Sequence, residues 1–129
     1  MILDSSFLID IQNGIPAAVD TIDEIESAGR PLRVPHVVVY ELYIGVGKGT
    51  QSAQNRARID AVLGSLTLEP TTLEIVRRAG ELEGSLQQHD QAVGAVDAIV
   101  AATARRDDEP VVTADDHFAR IDGVEVVSY

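Results

Sequence analysis

Met1-Ile2-Leu3-Asp4-Ser5-Ser6-Phe7-Leu8 opens the chain and decides its fold. The first three residues are apolar and predict a short buried strand, and the next three supply polar side chains that cap a following helix. A strand that turns directly into a helix is typical of α/β domains. Asp4 therefore stands at the carboxyl end of a strand, where open parallel sheets bind their ligands.

The same alternation of strands and helices continues along the 129 residues. Short strands are predicted at 32–34, 66–68, 110–113 and 124–127, and helices at 16–29, 35–45, 53–63, 71–88 and 95–106. The stretch from Gly45 to Thr50 is predicted to be a flexible corner. This order favours a single α/β domain over residues 1–129, with a mostly parallel central sheet between two layers of helices.

Composition limits the classes of function. The chain contains no cysteine, which excludes disulfides, thiolate metal sites and cysteine nucleophiles. Without an export signal or a membrane-spanning stretch, we expect a cytoplasmic protein. The net charge of -11 argues against capture of nucleic acid by overall surface charge. An acidic surface with Lys48 as its one lysine also suggests salt adaptation, and salt screens surface charge.

Four carboxylates stand where surface acids do not belong. Asp4 and Asp115 each follow a short apolar strand, whereas Glu41 and Asp97 lie on apolar stripes of predicted helices. Taken singly, Asp4 and Asp115 are also good helix N-caps. Glu41 and Asp97, taken singly, are interpreted as partly exposed side chains or as partners of an arginine. Together they would form an oxygen-only site that suits Mg²⁺ or Mn²⁺. Paired metal ions in such sites hydrolyse phosphodiester bonds.

Segments in the same order resemble the PIN-domain family, specifically its small VapC-like toxins, along essentially the whole chain. They are ILDSSFLID (2–10), VYELYIG (39–45), VDAIVAATA (96–104), and VVTADDHF (111–118) followed by GVEVV (123–127). The resemblance implies a PIN-like three-layer fold and a metal-dependent endoribonuclease, the toxin of a VapBC-type pair. It also implies an RNA substrate, a VapB-like antitoxin that blocks the acidic groove, and a homodimer.

The resemblance also implies roles for individual residues. Asp4 and Asp97 would be the principal metal ligands, and Glu41 and Asp115 would complete the acidic pocket. Ser6 and Thr113 would contact metal-bound water or phosphate through their hydroxyls. Because the last segment offers two adjacent acids, Asp116 is an alternative to the favoured Asp115.

Two other functions stay open from the residues alone. An aspartate phosphoryl-transfer domain also places an acid after an early strand, but expects a lysine after a late strand or a second acid where this chain has Ser6. A non-catalytic acidic module would hold a metal or a partner's arginine without turnover. The histidines at 36, 89 and 117 are too dispersed to predict a metal site and are interpreted as surface or capping residues. Tyr40 and Tyr43 are interpreted as core or dimer contacts.

Overall fold

The computed structural model describes residues 1–49 and 52–129, which form five strands and six α-helices with one 3₁₀ helix. The strands are β1 (Ile2–Leu3), β2 (Arg33–Pro35), β3 (Thr67–Glu69), β4 (Val111–Val112) and β5 (Val126–Val127). The helices are α1 (Ser5–Gln12), α2 (Pro16–Ser27), α3 (His36–Lys48), α4 (Ser52–Leu63), α5 (Leu73–Gln88), α6 (Ala95–Asp107) and the 3₁₀ helix Asp116–Arg120. Within the two described ranges, no helix combines the length and the apolar character needed to cross a membrane.

The strands form one sheet in the order β3-β2-β1-β4-β5, and all four strand pairs are parallel. Ile2 and Leu3 are adjacent in β1 and both fully buried, as are Val111 and Val112 in β4. Successive residues of a strand point to opposite faces, so helices cover the sheet on both sides. The predicted three-layer α/β fold is confirmed.

One predicted boundary is wrong. The structure continues α3 through Lys48, so the corner predicted from Gly45 onward is helical over its first four residues. Leu42 and Val46 are buried one turn apart on this helix, and their packing outweighs the weak helix propensity of the intervening glycine. Thr50, the predicted end of the corner, lies outside the described residues.

The strand order creates a crevice at the centre of the sheet. From β1 the chain builds outward through β2 and β3, and then returns to place β4 on the other side of β1. Open α/β sheets bind ligands at such a reversal, beyond the carboxyl ends of the strands. Asp4 follows β1 and Thr113 follows β4, so both side chains lie at this crevice.

Candidate metal centre

Asp4 is buried at the crevice, and only one of its two carboxylate oxygens accepts a hydrogen bond within the described residues. Its Oδ2 accepts hydrogen bonds from Thr113 Oγ1 at 2.8 Å and from Ser6 Oγ at 3.1 Å. Asp4 occupies the N-cap position of α1, as the N-cap interpretation has it, but its side chain makes no capping hydrogen bond there, so capping does not account for the carboxylate. Oδ1 is buried with no partner among the described residues. Burial raises the pKa of Asp4, although the hydrogen bond from Thr113 opposes that rise.

Two hydroxyls tie the end of β4 to the start of α1 around this carboxylate. Thr113 Oγ1 accepts from the backbone N–H of Asp115 at 2.9 Å, and Ser6 Oγ accepts from that of Ala114 at 3.1 Å. The two hydroxyl oxygens lie 3.1 Å apart. Thr113 is fully buried and directs its proton at Asp4, so it orients this carboxylate. Contact with metal-bound water or phosphate stays a prediction for both Ser6 and Thr113.

Asp97 and Asp115 meet at a histidine. Nδ1 of His117 lies 3.1 Å from Asp97 Oδ2 and 3.2 Å from Asp115 Oδ1, and ligand atoms of the three residues all lie within 4.8 Å of one another. Asp115 also caps the 3₁₀ helix, because its Oδ1 accepts from the His117 backbone N–H at 2.9 Å. The capping interpretation and the cluster are therefore compatible for Asp115.

The sequence interpretation missed His117. It was assigned to the surface because the three histidines are far apart in the chain, whereas its contact to Asp97 spans twenty residues. The usable signal was local: it stands two residues after a strand-end acid, in the first turn that this acid caps. Asp116 begins the same 3₁₀ helix and is exposed.

The first turn of α6 carries Asp97 into the crevice. Glu83 of α5 fixes the start of α6, since its carboxylate accepts from the backbone N–H of Val93 at 3.1 Å and of Gly94 at 3.0 Å. Gly94 has a φ of 93°, a conformation that favours glycine. Burial raises the pKa of Asp97 to about 6, although the hydrogen bond with His117 opposes that rise. The negative charges of three neighbouring carboxylates raise the pKa further; they belong to Asp4, Asp115 and Glu41. The predicted acids thus share one electrostatic site.

Glu41 joins the site from α3. Its Oε1 accepts a hydrogen bond from the hydroxyl of Ser5, the residue after Asp4. In the described part of the chain, no lysine or arginine forms an ion pair with Asp4, Glu41, Asp97 or Asp115. The arginine-pair interpretation of Glu41 and Asp97 is therefore wrong, and their negative charge is left without a basic partner other than His117.

These donors fit a divalent cation. A buried carboxylate oxygen without a hydrogen bond is costly, and Asp4 Oδ1 is such an atom. A cation relieves both this cost and the mutual repulsion of crowded carboxylates. Carboxylate oxygen is the donor that Mg²⁺ and Mn²⁺ prefer. Asp4, Asp97 and Asp115 are placed to supply such oxygens, with Glu41 beside them.

The chain is similar to known proteins in both sequence and fold. The family model described as PIN domain matches residues 1–124. The chain is 32% identical over 113 residues to Ribonuclease VapC10 of Mycobacterium tuberculosis, an alignment covering 88% of this chain and 80% of that protein. Its fold resembles that of VapBC2 from Rickettsia felis, solved bound to a DNA fragment from the promoter of that pair. The TM-score is 0.89 at 22% identity, and the alignment covers 99% of this chain and 97% of that one. It also resembles DNA-bound VapBC from Salmonella typhimurium, with a TM-score of 0.85, 21% identity, and 98% and 96% covered.

Proposed function

Because the chain belongs to the PIN-domain family, we propose that it is a metal-dependent endoribonuclease of the VapC type, the toxin of a toxin–antitoxin pair. The observation that carries this proposal is the convergence of four carboxylates from β1, α3, α6 and the loop after β4 without a lysine or arginine partner among the described residues. A phosphoryl-transfer aspartate would need a lysine beside it, and no described lysine forms an ion pair with Asp4.

The bound metal is a divalent ion, which we propose to be Mg²⁺ or Mn²⁺. Asp4, Asp97 and Asp115 would hold it, with Glu41 completing the pocket. Such ions activate water and stabilise the leaving oxygen when a phosphodiester bond is hydrolysed. The protein keeps its ligands in place: Thr113 fixes the rotamer of Asp4, and hydrogen bonds to ligands of this kind maintain both geometry and affinity.

The antitoxin is expected to occupy the same centre. Solved relatives are complexes of toxin and antitoxin, among them VapBC-5 of Mycobacterium tuberculosis. An arginine from the partner would suit this site, because its planar fork matches pairs of carboxylate oxygens and no described arginine of the chain already does so. If substitution of the partner's arginines left its affinity for this chain unchanged, another mode of inhibition would be needed. We also propose that the chain functions as a homodimer.

RNA cleavage by the purified protein tests the proposal. With Mn²⁺ present, the wild type is expected to cleave single-stranded RNA, and Asp4→Asn and Asp97→Asn are expected to abolish cleavage while remaining folded. Asp20→Asn is the matched control, because it makes the same change at an exposed position of α2. Full activity in both site variants would contradict the mechanism. Metal binding without any cleavage by the wild type would favour the non-catalytic module.

The choice between the adjacent acids needs its own comparison. Asp115→Asn and Asp116→Asn differ only in which of the two carboxylates is removed. Because Asp115 contacts His117 and Asp116 is exposed, we expect the first variant to lose more Mn²⁺ affinity than the second. The reverse order would assign the fourth ligand to Asp116.

A further inference from the structure

The α3–α4 hairpin, residues 36–63, is the part of this acidic chain with a net positive charge. Of the 21 acidic and 10 basic residues in the whole chain, it holds two and three respectively. They are Glu41 and Asp60, and Lys48, Arg56 and Arg58. The remaining parts, 1–35, 64–94 and 95–129, are each net negative. With three basic residues against two acidic ones, the hairpin has a net charge of +1, in contrast to the acidic balance of the other parts.

Contacts between the end of α3 and the start of α4 bring two of these basic residues to one corner. Ser52 Oγ donates to the carbonyl oxygens of Val46 at 2.8 Å and Gly49 at 3.0 Å, which fastens the start of α4 to the end of α3. Gly49 lies so close to α4 that a Cβ there would be 3.0 Å from Asn55 Nδ2. Lys48 precedes Gly49 and Arg56 follows Asn55, so the two cationic residues flank this contact.

The basic residues of the hairpin are exposed and available. Lys48, Arg56 and Arg58 are all exposed, and none forms an ion pair with another residue in the ranges 1–49 and 52–129. In contrast, Arg30, Arg33, Arg78 and Arg106 are each paired with a carboxylate. A free cation can bind an external anion without first giving up an internal partner.

The same hairpin borders the metal centre. A cavity of about 190 Å³ between α1, α3 and α4 has both Glu41 and Asn55 in its wall, so it extends from one acid of the site to the residue that precedes Arg56. Tyr40, next to Glu41, is 62% exposed. An exposed aromatic ring next to a site residue offers a surface on which a base of single-stranded nucleic acid can stack.

We propose that Lys48, Arg56 and Arg58 bind the phosphate backbone of the RNA substrate and align it with the metal centre at Glu41. This inference rests on the proposed ribonuclease function. Its physical reason is that a chain with this net charge repels RNA, so affinity requires a local cationic surface. The hairpin supplies that surface beside the carboxylates that would hold the metal.

The test compares two double variants in Mn²⁺-dependent cleavage of a fluorescein-labelled single-stranded RNA. Arg56→Gln/Arg58→Gln removes two cations from the hairpin, and Arg77→Gln/Arg78→Gln removes two exposed cations from α5. KM and kcat are measured over a series of KCl concentrations, and direct RNA binding is measured in the Asp97→Asn background. Lys48→Gln is examined in the same way, and Arg56→Lys/Arg58→Lys serves as the charge-preserving variant.

The hairpin variant is expected to raise KM several-fold with kcat unchanged. Each phosphate that the protein no longer neutralises should reduce the slope of log affinity against log salt by about 0.7, so removing both arginines should reduce it by about 1.4. The α5 variant and the charge-preserving variant should keep the wild-type slope. A wild type that neither binds nor cleaves RNA would overturn the proposed function itself.

Other outcomes would overturn only the present inference. One is cleavage by the wild type with the same KM and slope in both double variants. A second is an equal weakening in the α5 variant, which would indicate a general charge effect. A third is a hairpin variant that keeps the wild-type KM for RNA but no longer binds polyglutamate. That result would indicate that the hairpin binds an acidic protein segment and not RNA.

Discussion

Asp97→Asn should stabilise the metal-free protein at neutral pH. The pKa of Asp97 rises from 3.8 to about 6 on folding, first because of burial. At about 1.4 kcal/mol per pKa unit, this rise corresponds to about 3 kcal/mol of destabilisation once the carboxyl is ionised. The side chain keeps 15% of its exposure, and solvent screens its charged neighbours, so we expect about 1.5 kcal/mol.

The pH dependence follows from the direction of the shift. Below the unfolded pKa of 3.8 the carboxyl is protonated in both states and has no effect on stability. As pH rises through about 6, the folded state must give up a proton that it holds more tightly than the unfolded state, so stability falls. Asparagine does not titrate, so the advantage of the variant should appear across this interval and stay constant above it.

Thermal melts in EDTA at pH 4.5 and pH 8 measure the effect. With an unfolding entropy of about 2.1 cal/mol/K per residue, 1.5 kcal/mol corresponds to about 5 °C in Tm at pH 8. Asp20→Asn, the exposed control on α2, should change Tm little at either pH. Mn²⁺ at one hundred times its Kd should stabilise the wild type by about 2.7 kcal/mol and the variant far less. A variant that melts lower than the wild type in EDTA at pH 8, or that gains equally from Mn²⁺, would refute the reasoning.

Three other changes test the supports of the site. Thr113→Val keeps the volume but removes the hydroxyl that donates to Asp4, and should cost about 2 kcal/mol in urea unfolding; no loss of stability would mean that the hydroxyl does not hold the carboxylate. Gly94→Ala forces a side chain into a φ of 93° and should cost about 1–3 kcal/mol in the same assay, whereas an unchanged midpoint would show that α6 can begin differently. His117→Ala removes the hydrogen bond that lowers the pKa of Asp97, so Mn²⁺ affinity measured by calorimetry should fall more at pH 6 than at pH 8. A larger decrease at pH 8 than at pH 6 would instead assign His117 a direct role in metal binding, because imidazole binds metal only in its neutral form.

The fold was predictable because its strands and helices carry strong local patterns. Short apolar runs bounded by turn residues mark the buried strands, and the periodic burial of Val38, Leu42 and Val46 marks α3. The same periodicity corrects the interpretation of Tyr40 as a core residue, because two positions after Val38 a helix faces away from the core. The glycines of α3 wrongly predict a flexible corner from Gly45, because tertiary packing keeps this stretch helical as far as Lys48.

The site was predictable where an acid follows a buried strand or interrupts the apolar stripe of a helix. Asp4 stands out in the first way and Asp97 in the second, and the structure places both at the crevice. His117 and the orienting role of Thr113 depend on contacts between parts of the chain that no local pattern connects. Whether Glu41 has an arginine partner was likewise undecidable, since ion pairs are settled by three-dimensional proximity.

The parallel pairing of β1 with β4 also has a consequence for the timing of toxicity. Asp4 follows the first strand of the domain, but the hydroxyl that orients it belongs to Thr113, which is synthesised 109 residues later. A nascent chain that has emerged only through α6 already carries Asp4, Glu41 and Asp97, yet lacks β4 and the loop that follows it. The acidic site is therefore complete only when synthesis of the domain is almost finished, which leaves time for an antitoxin to meet the protein as it folds.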